Sequence, residues 1–166
     1  MMIEYRLADQ SDLNEIVALV NNAISNMVKN NILQWDELYP AKEDFGEDIK
    51  QESLYVGLCE RKIAVIFVLN QQSEEEYKNG KWLYPDREYY VIHRFCVNPL
   101  FQNKGVGKQT MEFIEKKLRS INIPAIRLDV FSQNPYALRL YRDMGYSQVG
   151  HADWRKGRFY LMEKYI

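Results

Sequence analysis

The stretch from Tyr89 to Ser120 restricts the fold of this chain more than any other part of it. Tyr89 to Val97 is a run rich in aromatic and β-branched residues that reads as a strand, and Asn98-Pro99 stops it. Gln102-Asn103-Lys104-Gly105-Val106-Gly107-Lys108 follows, a Gln-x-x-Gly-x-Gly string. Val106, Met111, Ile114 and Leu118 then recur at helical spacing. A strand that passes through a two-glycine turn straight into a helix belongs to a mixed α/β fold. The glycines let the turn be tight and let a ligand approach the backbone. The helix directs its unpaired N–H groups and positive dipole end into that turn, which makes a seat for an anion, usually a phosphate or pyrophosphate.

Neither common nucleotide motif accounts for this seat. The Walker string needs four residues between its glycines and then Gly-Lys-Ser/Thr. The dinucleotide fingerprint needs a small residue three places after Gly107, where Thr110 stands. A second segment narrows the reading. Ile126 to Phe131 reads as a strand, and Asn134-Pro135 opens a helix that carries Ala137 and Tyr141 and ends near Gly145-Tyr146. Tyr141 lies seven residues after Asn134, two turns along the same helix face.

The two strings together, Gln102-x-x-Gly105-x-Gly107 and Asn134-x-x-Ala137-x-x-x-Tyr141-x-x-x-Gly145-Tyr146, resemble the GNAT superfamily of acyl-CoA-dependent N-acetyltransferases. The resemblance implies a single domain over residues 1–166. It also implies a splayed, mixed and mostly antiparallel sheet flanked by helices on both faces. It implies acetyl-CoA or coenzyme A as the cofactor, with the backbone from Gln102 through Asn103, Lys104, Gly105, Val106 and Gly107 to Lys108 around the pyrophosphate. Phe95, Cys96 and Val97 would line the pantetheine arm, and a backbone N–H near Phe95 or Val97 would face the thioester oxygen. Asn134 would bind the arm, although Asn before Pro is also a good helix cap. Ala137 is small, as is needed where a cofactor lies against the helix. Tyr141, with an ordinary pKa near ~10, would donate a proton to the departing thiolate; the competing reading is a packed core tyrosine.

The base is less marked. Many members of the superfamily carry a carboxylate near the position of Val91. His93, two residues on, is the candidate base here, against the alternative of a hydrogen-bonded structural histidine; Glu88 and Tyr89 follow it. Even strand alternation would put Val91, His93, Phe95 and Val97 on one face and Ile92, Arg94 and Cys96 on the other. On the acceptor side the resemblance points to Gln34, Trp35, Tyr39 and Trp154. Rings beside carboxylates suit a cationic amine, and Trp35 and Tyr39 also suit a plug between helix and sheet.

The remaining chain predicts a strand at Ile3 to Leu7 and a helix from Asp9 or Ser11 to about Lys29. A helix at Ala41 to Gln51 follows, then a hairpin of Leu54 to Cys59 and Ile63 to Leu69. After a polar insertion from Gln71 to Arg87, read as a solvated loop, come the motif segments and two closing strands, Tyr146 to His151 and Arg158 to Tyr165. A net charge of −1 gives no basis for nucleic acid or a membrane surface as a partner. Cys59 and Cys96 have no metal-ligand spacing, so no metal is expected. The start lacks the apolar run of a signal peptide, and a cytoplasmic location is expected. The function implied is acetyl transfer to the primary amine of a small molecule, by direct attack in a ternary complex. Acetylation of a protein N-terminus or lysine, and a non-catalytic acyl-CoA-binding module, are the alternatives. A homodimer stays open, because strands near the C-terminus can pair.

Overall fold

A computed structural model describes residues 1–166. The chain runs β1 (Glu4–Leu7), α1 (Leu13–Lys29), α2 (Lys42–Lys50), β2 (Leu54–Cys59), β3 (Lys62–Asn70) and β4 (Tyr89–Val97). It continues with α3 (Val106–Ser120), β5 (Ala125–Phe131), α4 (Pro135–Asp143), β6 (Ser147–Trp154) and β7 (Gly157–Tyr165). The strands hydrogen-bond in the order β1-β2-β3-β4-β5-β7-β6. Pairing is antiparallel for β1 with β2, β2 with β3, β5 with β7 and β6 with β7, and parallel for β4 with β5. The mixed, mostly antiparallel sheet expected from the sequence is therefore present. No helix is long and apolar enough to cross a membrane.

Contacts divide the chain into two compact units, residues 1–69 with 94–110, and residues 70–93 with 111–166. In the first, α1 begins where the sequence signals it. Asp9 accepts from the Ser11 N–H at 2.8 Å while Asp12 accepts from the Asp9 N–H at 2.9 Å, a reciprocal cap. Ile16, Leu19, Val20 and Ala23 of α1 and Phe45 and Ile49 of α2 form one apolar cluster with Leu54, Val56, Ile66, Val68, Trp35 and Cys96. Ile3, Ala64, Val65 and Val106 make a second cluster, against which Phe95 and Val97 pack. Cys96 thus lies in one cluster and its two neighbours in the other, as strand alternation requires. The even alternation expected back to Val91 is interrupted at Arg94, which has φ 51°. That left-handed conformation is rare for a long side chain in a strand. It is held by Asp48, which receives the Arg94 guanidinium, and by the Tyr39 hydroxyl, 3.2 Å from Arg94 Nε.

In the second unit β4 and β5 run in register from Tyr89↔Ala125 to Ile92↔Leu128. On its other edge β5 pairs with β7 from Ala125↔Tyr165 to Phe131↔Phe159. Met111, Ile114 and Leu118 of α3 are fully buried. The insertion from 71 to 87 differs from expectation. Glu74 and Glu75 are exposed, but a 3-10 turn over Glu75–Asn79 buries Tyr77 to 3% exposure. Tyr77 packs with Val91, Ala152 and Leu161. Farther along, Lys81 donates to the Val149 carbonyl at 2.8 Å. The N–H groups of Leu83 and Tyr84 donate to buried Glu163 at 2.6 and 3.3 Å. Arg127, 3.3 Å from the same carboxylate, is covered by the Trp82 and Tyr89 rings. A Cβ on Gly150 would fall 2.9 Å from the Asn79 carbonyl oxygen, so glycine is required for this approach. Few apolar residues fasten the insertion, which is why its overall polarity hides its attachment.

Candidate active site

In the first unit, the turn that leaves β4 is fixed before the glycines are reached. Asn98 donates from its backbone N–H to the Ala64 carbonyl at 2.8 Å and from Nδ2 to the Ile63 carbonyl at 2.9 Å. Its Oδ1 accepts from the Leu100 N–H at 3.0 Å and caps the 3-10 turn Pro99–Phe101. Asn103 and Gly105 then take positive φ, 62° and 77°. Gln109 donates to the Gly105 carbonyl at 3.0 Å. The N–H groups of the first helical turn before it have no place in the helix ladder and are donors for an external acceptor. A Cβ on Gly105 would meet nothing within 4 Å. Open space therefore surrounds the turn at this position, and the glycine is required by its φ. Gln102, Lys104 and Lys108 are exposed. Lys104 Nζ lies 5.7 Å from the Phe101 ring centre, and Gln102 accepts from Asn26 at 3.2 Å. A pyrophosphate fits this loop, which offers backbone donors, open space and two flanking cations.

Cys96 is 6% exposed, and burial pushes its thiol up to about 12. It stays protonated at neutral pH and is no nucleophile. Of the residues expected on the acceptor side in this unit, Trp35 is buried in the core with α1 and α2, whereas Tyr39 is exposed and holds Arg94. Gln34 is half-buried.

In the second unit, Asn134 Oδ1 accepts from the Ala137 N–H at 3.1 Å, so the side chain caps α4. One turn beyond the half-buried Ala137, Tyr141 is 6% exposed, with its ring edge-on to Tyr146 at 6.0 Å. Burial, and then the charge of Asp129, push its hydroxyl well above the ordinary tyrosine range. It is held protonated at neutral pH. His93 Nε2 lies 3.0 Å from both Asn70 Oδ1 and the Gln72 carbonyl, and Nδ1 lies 3.8 Å from Glu74. Two oxygen acceptors at one nitrogen place the neutral ring's proton on Nε2. Trp154 is half-buried and donates its indole N–H to Glu76 at 2.8 Å.

Two residues of this unit escaped the sequence reading. Asp129 of β5 accepts from the Tyr77 hydroxyl at 2.7 Å. It keeps some exposed surface, but the protein around it raises its carboxyl to about 7. Burial is the main cause and the charge of Glu74 adds to it, while the Tyr77 hydrogen bond acts in the opposite direction. The available signal was an aspartate in the otherwise apolar run Leu128-Asp129-Val130-Phe131.

Residues 32–146 match the acetyltransferase (GNAT) family model. The chain is 26% identical to the uncharacterized N-acetyltransferase YdgE of Bacillus subtilis (strain 168), over 87% of this chain and 93% of that one. It is 29% identical to the spermine/spermidine N(1)-acetyltransferase of the same organism, over 70% and 76%. A crystal structure of a GNAT-family acetyltransferase from Streptococcus agalactiae 2603 superposes with a TM-score of 0.86 at 24% identity, covering 99% of this chain and 95% of that one. The strand, glycine turn and capped helix seen here are matched across more than half the chain, and the chain belongs to the acetyltransferase (GNAT) family.

Proposed function

We propose that the chain transfers the acetyl group of acetyl-CoA to the primary amine of a small molecule by direct attack in a ternary complex. That it is an acetyltransferase with acetyl-CoA as donor follows from its family. One observation carries the reading: a turn with Asn103 and Gly105 at positive φ, open space in front and unpaired helix donors behind. Acetyl-CoA supplies a reactive thioester and a pyrophosphate that such a turn can hold.

The roles then divide by residue. The backbone from Gln102 to Lys108 receives the pyrophosphate, and Phe95, Cys96 and Val97 present backbone groups to the pantetheine arm. Asn134 and Ala137 border the arm at the start of α4. Tyr141, kept protonated by burial, gives its proton to the leaving sulfur. The base expected from the sequence is His93. In the structure its Nε2 faces the Asn70 and Gln72 oxygens and its Nδ1 lies 3.8 Å from Glu74, so both ring nitrogens are engaged within the chain. Gln34, Tyr39 and Trp154 are the acceptor-side candidates, with Trp35 supporting them from the core. A direct route is favoured over an acetyl-cysteine because the Cys96 thiol is buried and protonated. The family match takes in residues of both compact units, which supports one functional domain over residues 1–166. The spermine/spermidine relative supports a small amine as acceptor.

The test is thiol release from acetyl-CoA against polyamines, arylalkylamines, aminoglycosides, amino acids and short peptides, beside a CoA-binding titration. Release with one class of small amine is the expected result. Release with peptides alone overturns the small-molecule reading, and tight CoA binding without release leaves a binding module.

A further inference from the structure

The carboxyl of Asp129 has two oxygens in different circumstances. Oδ2 accepts the Tyr77 hydroxyl at 2.7 Å. No further hydrogen bond or ion pair within the chain engages the group, and no fully buried side-chain oxygen in the protein lacks a partner. Oδ1 is therefore the oxygen that keeps contact with solvent. On β5, Asp129 follows Leu128, which forms the final pair of the parallel register with β4. It faces Leu161 across β7.

Around this carboxyl, the insertion brings Tyr77 and Glu74, and α4 brings Tyr141. From β4, His93 turns its Nδ1 to Glu74 at 3.8 Å. The cation on its own strand, Arg127, is taken by Glu163 and covered by Trp82 and Tyr89. On β7 the facing residue is apolar. A carboxyl raised out of the usual range, whose one hydrogen bond comes from a neutral hydroxyl and which makes no ion pair, is suited to a cation that comes from outside.

We propose that Asp129 binds the ammonium form of the acceptor and takes its proton, with the Tyr77 hydroxyl positioning the carboxyl. This deepens the small-amine reading and rests on it. The class of acceptor is then an alkylammonium, selected by charge. The ammonium gives one proton to Asp129 Oδ1, and the freed nitrogen pair forms the C–N bond at the thioester carbon. The C–S bond breaks and the sulfur takes a proton from Tyr141. The second proton leaving nitrogen restores Tyr141, and Asp129 releases the first to water. Amide, thiol and one proton are the products. Ionising at about 7, Asp129 is matched to accept a proton near neutrality. His93, with Nε2 engaged by Asn70 and Gln72, then serves to hold Glu74.

The experiment compares wild type, Asp129→Asn, Tyr77→Phe and His93→Gln in kcat/KM for thiol release against pH, with CoA affinity measured for each. Wild type is expected to show an acidic limb that inflects near pH 7. Asp129→Asn should lose about 100-fold or more and lack that limb, with CoA affinity within about twofold. Tyr77→Phe should move the limb upward, because the hydrogen bond it removes favours the charged carboxylate. His93→Gln should leave the limb in place.

Retention of rate and limb by Asp129→Asn, or loss of the limb in His93→Gln alone, overturns the proposal. A second measurement needs no turnover. In the wild-type protein with CoA bound, the carbon-13 titration of Asp129 should centre near 7 and fall by about one unit with saturating n-butylamine. A midpoint near 4, or one that butylamine does not move, overturns the proposal even if the asparagine variant fails to fold. Tight CoA binding without release to any amine overturns the small-amine reading instead, and the Asp129 midpoint still decides this one.

Discussion

The glycine turn of the first unit and the Tyr77–Asp129–Tyr141 group of the second are built from different materials. In the turn, the useful groups are backbone N–H donors, and the side chains of Gln102, Lys104 and Lys108 stand in solvent. In the group around Asp129, the useful atoms are side-chain oxygens delivered by three separate segments, and burial sets their chemistry. A site made of backbone is sensitive to φ and to bulk and tolerant of side-chain identity. A site made of buried side chains has the reverse sensitivities.

Four variants can break or sharpen that contrast. The largest effect is expected for Gly105→Glu, which places a side chain at φ 77° and a carboxylate where the anion would sit. CoA affinity should fall by about 100-fold or more, about 3 kcal/mol. Affinity kept within a few fold would move the anion seat elsewhere. Next is Tyr141→Phe. Removing the proton donor should lower kcat by about 100-fold, with CoA affinity nearly unchanged; an unaltered kcat in a stopped-flow thiol assay would remove Tyr141 as the acid.

The third concerns stability. An ordinary aspartate ionises near ~3.9, whereas Asp129 in the fold ionises at about 7. Between those values the folded chain binds the extra proton, so this group lowers stability as pH rises through the window. Asp129→Asn should therefore raise the thermal midpoint at pH 8 relative to wild type, and the gap should close by pH 4. A gap that does not change with pH would place the carboxyl in an ordinary environment. The smallest effect is expected for Lys104→Ala with Lys108→Ala. Both residues are exposed, and removing them should weaken CoA by less than about tenfold, mainly at low salt.

The same contrast governs what the sequence could reveal. Gly105 and the Asn134-to-Tyr141 spacing are local: a turn needs its glycine, and a helix face repeats at fixed intervals. Both are legible without a partner, as were β4 and α4 and most of the hairpin around Glu60 and Arg61. Tyr77 and Asp129 lie far apart in the chain and meet only through β4, β5 and the path of the insertion. Nothing in a run of three glutamates announces that the next residue is buried. By pattern Arg94 is an ordinary strand residue, because its positive φ depends on Asp48 and Tyr39, which come from α2 and the loop before it.

The fastening of the insertion has a consequence for how such an enzyme can diversify. Residues 71 to 87 are secured by their own backbone, through Lys81 to Val149 and through Leu83 and Tyr84 to Glu163, with Gly150 leaving room for Asn79. Tyr77 hangs from that strap. Its hydroxyl reaches Asp129, while its ring is buried against Val91, Ala152 and Leu161. On the proposed assignment, the donor side of the reaction and the acceptor side are encoded in separable stretches of chain, and a new acceptor can be acquired through the strap without rewriting the glycine turn.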